Sequence, residues 1–174
     1  MKKAFILMVA VLFGLSGMAF AAGSCVQTIS EIDKGAHKVS FVCTGDTDGS
    51  IPNTDTADFD TNGKPLNGII KGLYLTEVHA YPTSGGTAPD PASVFILDEN
   101  DLDLLGCEDG STTAYAGLNL IHATLPRSVI PNMYLPRAGN HLNYYPKIKG
   151  KLTLKVIDQG TNGADYTIDL IFEE

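Results

Sequence analysis

The C-terminal stretch constrains the fold most. In KIKGKLTLKVID, Leu152, Leu154 and Val156 alternate with Thr153 and Lys155. In ADYTIDLIFEE, Tyr166, Ile168, Leu170 and Phe172 alternate with Thr167, Asp169 and Ile171. A period of two is the mark of a strand with one face on a core. The intervening Gln159-Gly160-Thr161-Asn162-Gly163 is turn chemistry, so the two runs predict an antiparallel hairpin with one buried face.

The rest of the chain continues in this manner. IIKGLYLTEVHAY alternates and ends at Pro82; SVFILD is an apolar run of strand length; DLDLLG follows a polar turn. PRSVIPNMYLP holds three prolines and can serve only as an edge strand or an extended connection. Helical spacing occurs in TTAYAGLNLIHA, where Tyr115, Leu118, Ile121 and His122 share a face, Ser111 or Thr112 could cap the start, and Gly117 weakens the interior. One short helix is expected there. Seven or eight strands with frequent turns predict an all-β antiparallel β-sandwich, of jelly-roll or immunoglobulin-like build.

The N-terminus reads as an export signal. Lys2 and Lys3 precede an apolar run over residues 4–13, and Ala19-Phe20-Ala21 is an A-x-A cleavage site. The run is shorter than the roughly 20 residues a spanning helix needs. Residues 1–21 are thus a secretory signal peptide and residues 22–174 a single domain, periplasmic or extracellular, with no membrane span. Without Lys2 and Lys3, ten basic residues stand against twenty acidic ones, a net charge of −10. Such a surface repels phosphate backbones and argues against nucleic acid as a partner. The absence of Trp argues against a sugar-stacking platform.

Export makes the cysteines a disulfide question. Cys25 and Cys43 flank the turn signal Asp33-Lys34-Gly35. A hairpin centred on Lys34 sets them opposite each other, within disulfide reach. Cys107 is left over, as a buried small side chain or a link between chains.

Between that hairpin and the next strand, residues 44–67 form a polar loop. Within it DFDTNG matches the opening half of a calcium loop, with carboxylates at Asp58 and Asp60, an amide at Asn62 and then Gly63. The full motif fails, because position 12 is Ile69, position 8 is Pro65 and no helix flanks it. A looser Ca2+ site would draw on Asp46, Asp48, Asp55, Asp58, Asp60 and Asn62. The competing reading is that Asp, Asn and Gly are the residues turns prefer, and DFDTNG is read as a turn.

Catalytic signals are weak. G-x-S-x-G, H-E-x-x-H and C-x-x-C do not occur, and His37, His79, His122 and His141 are scattered. Asp101 with Asp103, or Glu108 with Asp109, could flank a substrate as acid and base, but they stand where solvated turn acids are ordinary. No enzyme is expected.

One resemblance is carried by ordered marks. They are Asp48-Gly49, a strand over residues 72–81 ending in Pro82, Gly85-Gly86-Thr87-Ala88-Pro89, a strand over 94–98, Asp103-Leu104-Leu105-Gly106, and G-K-L-T-L-x-V over 150–156. In that order they resemble small β-rich structural proteins of tailed phages and prophages, over most of residues 38–174. The resemblance implies a virion-associated or phage-derived structural subunit with no catalytic residues. The signal peptide departs from it, since virion parts assemble in the cytoplasm; a bacterial cell-surface, adhesin-like binding module is the alternative. In that alternative the loops over 44–67 and 82–91 form the recognition edge. For assembly, a homo-oligomer is expected, with Val129, Ile130, Met133, Tyr134 and Leu135 as the interface candidates.

Overall fold

A computed structural model describes residues 23–105, 118–121, 126–131 and 145–174. The expected signal peptide, Cys107, Glu108, Asp109, His122, Met133, Tyr134, Leu135 and His141 lie outside the described residues. Nine strands and one short helix follow in the order β1 (Ser24–Asp33), β2 (Ala36–Thr44), β3 (Thr54–Asp55), α1 (Leu66–Ile70), β4 (Tyr74–Pro82), β5 (Ala92–Leu97), β6 (Leu118–Ile121), β7 (Arg127–Val129), β8 (Thr153–Ile157) and β9 (Asp165–Glu173). They build a five-stranded sheet, β1-β2-β9-β4-β7, and a four-stranded sheet, β3-β8-β5-β6, every pairing antiparallel.

The expected β-sandwich is what forms. Val39, Phe41, Val78, Ile168 and Leu170 from the first sheet share one buried cluster with Val94, Ile96, Leu120 and Leu154 from the second. Each such side chain contributes about 1.5–3 kcal/mol by leaving water. The registers explain the sidedness. Val39 faces Ile29 on one neighbour and Leu170 on the other, and Leu170 in turn faces Val78, which aligns one apolar row across four strands.

Three expectations need correction. The last two strands are not a hairpin: β8 pairs β3 and β5, while β9 lies between β2 and β4 in the other sheet. Alternation fixes which face is buried but not which strand is the neighbour, and both runs turn their apolar faces toward the same core. β9 also buries both faces, including Thr167 and Asp169. The helix expected over residues 112–123 is contradicted at Leu118–Ile121, which forms β6 against β5; residues 112–117 lie outside the described residues. The helix that does form, α1, stands at the end of the presumed polar loop, where Leu66 and Ile70 turn inward one helical turn apart.

The Cys25–Cys43 disulfide is present. Its register has a specific cause. The two-residue turn Lys34-Gly35 pairs Asp33 with Ala36, and a bulge between Glu31 and Asp33 then shifts the ladder so that Glu31 meets His37 and Cys25 meets Cys43. Gly35 sits at φ +79°, which such a turn demands.

Candidate functional site

Strand direction decides which loops meet. β4 ends, β5 begins, β8 ends and β9 begins at the same end of the sandwich, because β9 runs antiparallel to β4 and β5 runs antiparallel to β8. Loop 83–90 therefore reaches the β8–β9 connection, residues 158–164, and loop 45–50 after β2 arrives beside it. Backbone bonds tie the three together: Gly45 N–H donates to Ala164 O (2.9 Å), Gly163 N–H to Asp46 O (2.9 Å), and Thr83 N–H to Asp165 O (3.0 Å). Gly49 is in the left-handed region (φ +85°), and a Cβ there would stand 2.7 Å from Thr161 N, so only glycine permits this approach.

These three loops carry Asp46, Asp48, Asp90 and Asp158 and no lysine or arginine. Much of the carboxylate capacity is spent on the loops themselves. Asp46 Oδ1 accepts from Asp48 N–H (2.9 Å) and Ser50 N–H (3.0 Å), and Asp46 Oδ2 from the Ser50 hydroxyl (3.1 Å). Asp48 Oδ1 also accepts from Ser50 N–H, and its carboxyl is held below the usual range by hydrogen bonding with Asp46 and Ser50. Asp165 Oδ1 takes the Thr44 hydroxyl (2.6 Å) and its Oδ2 the Thr87 N–H (3.1 Å). Part of the expected recognition edge, 45–50 with 83–90, is thus assembled at one end.

The rest of the 44–67 loop goes elsewhere. It runs along the side of the sandwich, pairs as β3 with β8, and turns at DFDTNG over the free edge of β1. Thr61 N–H donates to Gln27 O (3.1 Å), Gln27 Nε2 donates to Asp55 O (2.8 Å), and Asp60 Oδ2 accepts from Ile29 N–H (3.1 Å). Asp60 Oδ1 accepts from Asn62 N–H and Lys64 N–H, both 2.8 Å. Asp58 Oδ1 meets the Asn67 amide (3.3 Å), and Asp55 pairs with Lys151 and accepts from the Thr153 hydroxyl (2.6 Å). The structure does not bring Asp46 and Asp48 together with Asp58, Asp60 and Asn62: the first two belong to the end loops, the others to the turn over β1. Among the described residues no three His, Cys, Asp or Glu side chains converge as a metal would need.

At the opposite end lies a groove of about 400 Å³. One wall is the turn after β5, where Asp98 Oδ1 accepts from Asn100 N–H (2.8 Å) and Leu102 N–H (3.0 Å). The other is residues 146–152, bonded to the start of β4 through Ile148 N–H to Leu73 O (2.8 Å) and Leu75 N–H to Pro146 O (3.0 Å) and bent at Gly150. Pro146, Ile148 and Leu152 turn inward, and Lys147, Lys149 and Lys151 turn out. Lys147 Nζ lies 5.5 Å from the Tyr74 ring centre and Lys151 pairs with Asp55, whereas Lys149 has no ion pair among the described residues. Sequence reasoning read KIKGK as strand and missed the surface it makes; the signal was three lysines at alternate positions.

A polar cluster marks the outer face of the five-stranded sheet. Asp169, on the central strand and 6 % exposed, accepts at Oδ2 from the Tyr81 hydroxyl (2.9 Å) and faces Lys38 Nζ at 3.3 Å. Its Oδ1 is buried without a partner among the described residues. Burial, reinforced by the Asp169 carboxylate, pushes Tyr81 up to about 12. His79, beside Asp169 in register, bonds Glu77 at 2.7 Å. His37 stands in the ladder between Glu31 of β1 and Phe172 of β9.

The remaining candidates are dispersed. Asp101 and Asp103 border a depression of about 510 Å³ on the outer face of the second sheet with Lys155, and Asp103 Oδ1 is taken by Ile96 N–H (3.2 Å) and Leu105 N–H (3.1 Å). Val129 packs against the core from edge strand β7, while Ile130 is 52 % exposed. The chain matches no protein-family model, and neither the curated proteins nor the solved structures give a match.

Proposed function

We propose that the protein is a non-catalytic structural or assembly subunit that works outside the cytoplasm. The observation that supports this most is the placing of two unlike surface features at opposite ends of one sandwich: the acidic loop end and the lysine-lined groove. A subunit so built has what a repeated head-to-tail contact requires. The blocked edge of β1 supports the same reading, since a subunit kept from random strand pairing associates through chosen faces. The Cys25–Cys43 disulfide fits an oxidising compartment, periplasmic or extracellular. Among the described residues no helix is long and apolar enough to cross a membrane. A virion-associated or phage-derived subunit is the form implied by the sequence resemblance, and it rests on those sequence marks alone.

Size-exclusion chromatography with light scattering tests the proposal. Mass rising with concentration in the micromolar range is expected, and a monomer at every concentration contradicts it. A second reading, a cell-surface adhesin-like module, is favoured by the gathering of loops 45–50 and 83–90 on a rigid scaffold. A strictly monomeric protein whose melting point rises in millimolar calcium would bring that reading forward.

A further inference from the structure

We infer that the lysine-lined groove receives the acidic loop end of a second copy of this chain, giving a heterologous end-to-end contact. The inference rests on the assembly reading above and names its faces. The partner is argued from charge on one wall: Lys147, Lys149 and Lys151 stand on residues 146–152, while Asp98 and Glu99 line the facing turn, where Asp98 Oδ1 is taken by the Asn100 and Leu102 N–H groups. Lys147 and Lys149 stand two residues apart on an extended stretch, so their stems are spaced by about 7 Å, and the chain bends at Gly150 before Lys151. The three lysines are among the ten basic residues that remain beyond residue 21, in a chain with twenty acidic ones. Lys149 has no ion pair among the described residues, and Lys147 rests on the Tyr74 ring alone. The loops at the other end supply Asp48, Asp90 and Asp158, all exposed, with no lysine or arginine among them.

The geometry allows this contact only between molecules. β5 has six residues and β8 five, and both run between the loop end and the groove end, which separates the two surfaces by roughly 20 Å. A face at one end and its complement at the other is heterologous, and repetition gives a ring or an open filament rather than a closed two-fold dimer. Complementary charges of this kind set register and association rate, and salt weakens them. The groove floor, with Leu102, Leu104 and Leu152, gives the arriving loop an apolar surface, and the Glu99 carboxylate packs against Gly150 at its side.

Charge exchange is the test, read by sedimentation velocity on the disulfide-bonded protein. One variant carries Lys147→Glu and Lys149→Glu, the other Asp48→Lys and Asp90→Lys; these positions lie outside the core, and a melting curve verifies the fold of each. The wild type should associate at low salt and dissociate as salt rises toward about 1 M, where the Debye length is about 3 Å. Each variant alone should be monomeric under conditions where the wild type associates, and an equimolar mixture should recover the association. Milder Lys147→Gln and Lys149→Gln changes should weaken association several-fold, which keeps the test decisive if a reversal disturbs folding. Variants that associate like the wild type, or a mixture that stays monomeric, overturn the end-to-end contact and leave the assembly reading standing. A wild type that is monomeric at every salt concentration removes both.

Discussion

Asp60 accepts the backbone N–H of Ile29 at 3.1 Å, across thirty-one positions of sequence, and so closes the free edge of β1. Ile29 points its N–H away from β2, toward where another strand would pair. The same carboxylate holds Asn62 N–H and Lys64 N–H, which makes DFDTNG the plug of an edge. Asp60→Ala should therefore lower the melting temperature by roughly 5–10 °C, since three donors lose their acceptor together. The unplugged edge should also raise aggregation in the native range. Calorimetry and turbidity check the two effects; unchanged melting and turbidity would show that the plug is dispensable.

Acid should act on the same bonds. Burial works to raise Asp60, but the N–H groups of Lys64, Ile29 and Asn62 outweigh it and hold the carboxyl below its ordinary range. The Lys151 ammonium, with the Thr153 hydroxyl, does the same for Asp55. The unfolded chain thus takes up these protons first, near pH 4. The contribution is fully present above that value and is lost as pH falls through the lower folded values. Melting temperatures between pH 7 and pH 2 should fall in that window, and Asp60→Asn with Asp55→Asn should flatten the curve. An unaltered slope in the double variant would contradict the assignment.

Two tyrosines should respond in opposite ways to loss of the hydroxyl. Tyr81 donates to Asp169, whereas the Tyr166 hydroxyl is buried with no partner among the described residues. Tyr81→Phe should cost about 1–2 kcal/mol, because Asp169 Oδ2 keeps only Lys38. Tyr166→Phe should be neutral or slightly stabilising, since it removes a buried donor that bonds nothing. Denaturant titrations compare them, and equal losses would refute the distinction. On the alkaline side, a raised Tyr81 contributes stability that is complete below the ordinary phenol range and is lost as pH rises toward about 12.

Much of the fold was legible because burial and strand period are local signals. The Lys34 hairpin register, the run into Pro82 and the edge character of Arg127–Val129 all come from alternation, turn chemistry and proline. What failed was partner choice. Leu152–Val156 and Tyr166–Phe172 present the same pattern, and only the core between the sheets assigns them to opposite layers. Leu118–Ile121 fits one helical face as well as it fits a strand, and pairing with β5 decides for the strand. The site was half legible: loops 44–67 and 82–91 could be grouped as loops on a rigid scaffold, of which 45–50 and 83–90 meet at one end, but the groove needs the β5 turn and residues 146–152 brought together from far apart.

The disulfide should be worth about 2–4 kcal/mol, as a cross-link of the β1–β2 hairpin. Cys25→Ser with Cys43→Ser should lower the unfolding free energy by that amount and move the denaturant midpoint down, with a somewhat steeper slope because the unlinked unfolded chain exposes more surface. Peptide mapping without reductant should recover residues 25 and 43 joined. Free thiols at both positions in protein purified without reductant would contradict the hairpin register.

Zero-length carbodiimide cross-linking, read by mass spectrometry, tests the end-to-end assembly most directly. Lys38 with Asp169 and Lys151 with Asp55 lie close enough to join within one chain. Lys147 and Lys149 stand a strand's length, roughly 20 Å or more, from Asp48 and Asp90 in the same chain, beyond the reach of a direct amide. Links between those two groups, confined to dimeric and larger species and lost in high salt, are the predicted result. A product that is monomeric throughout, with only the within-chain links, would contradict the account.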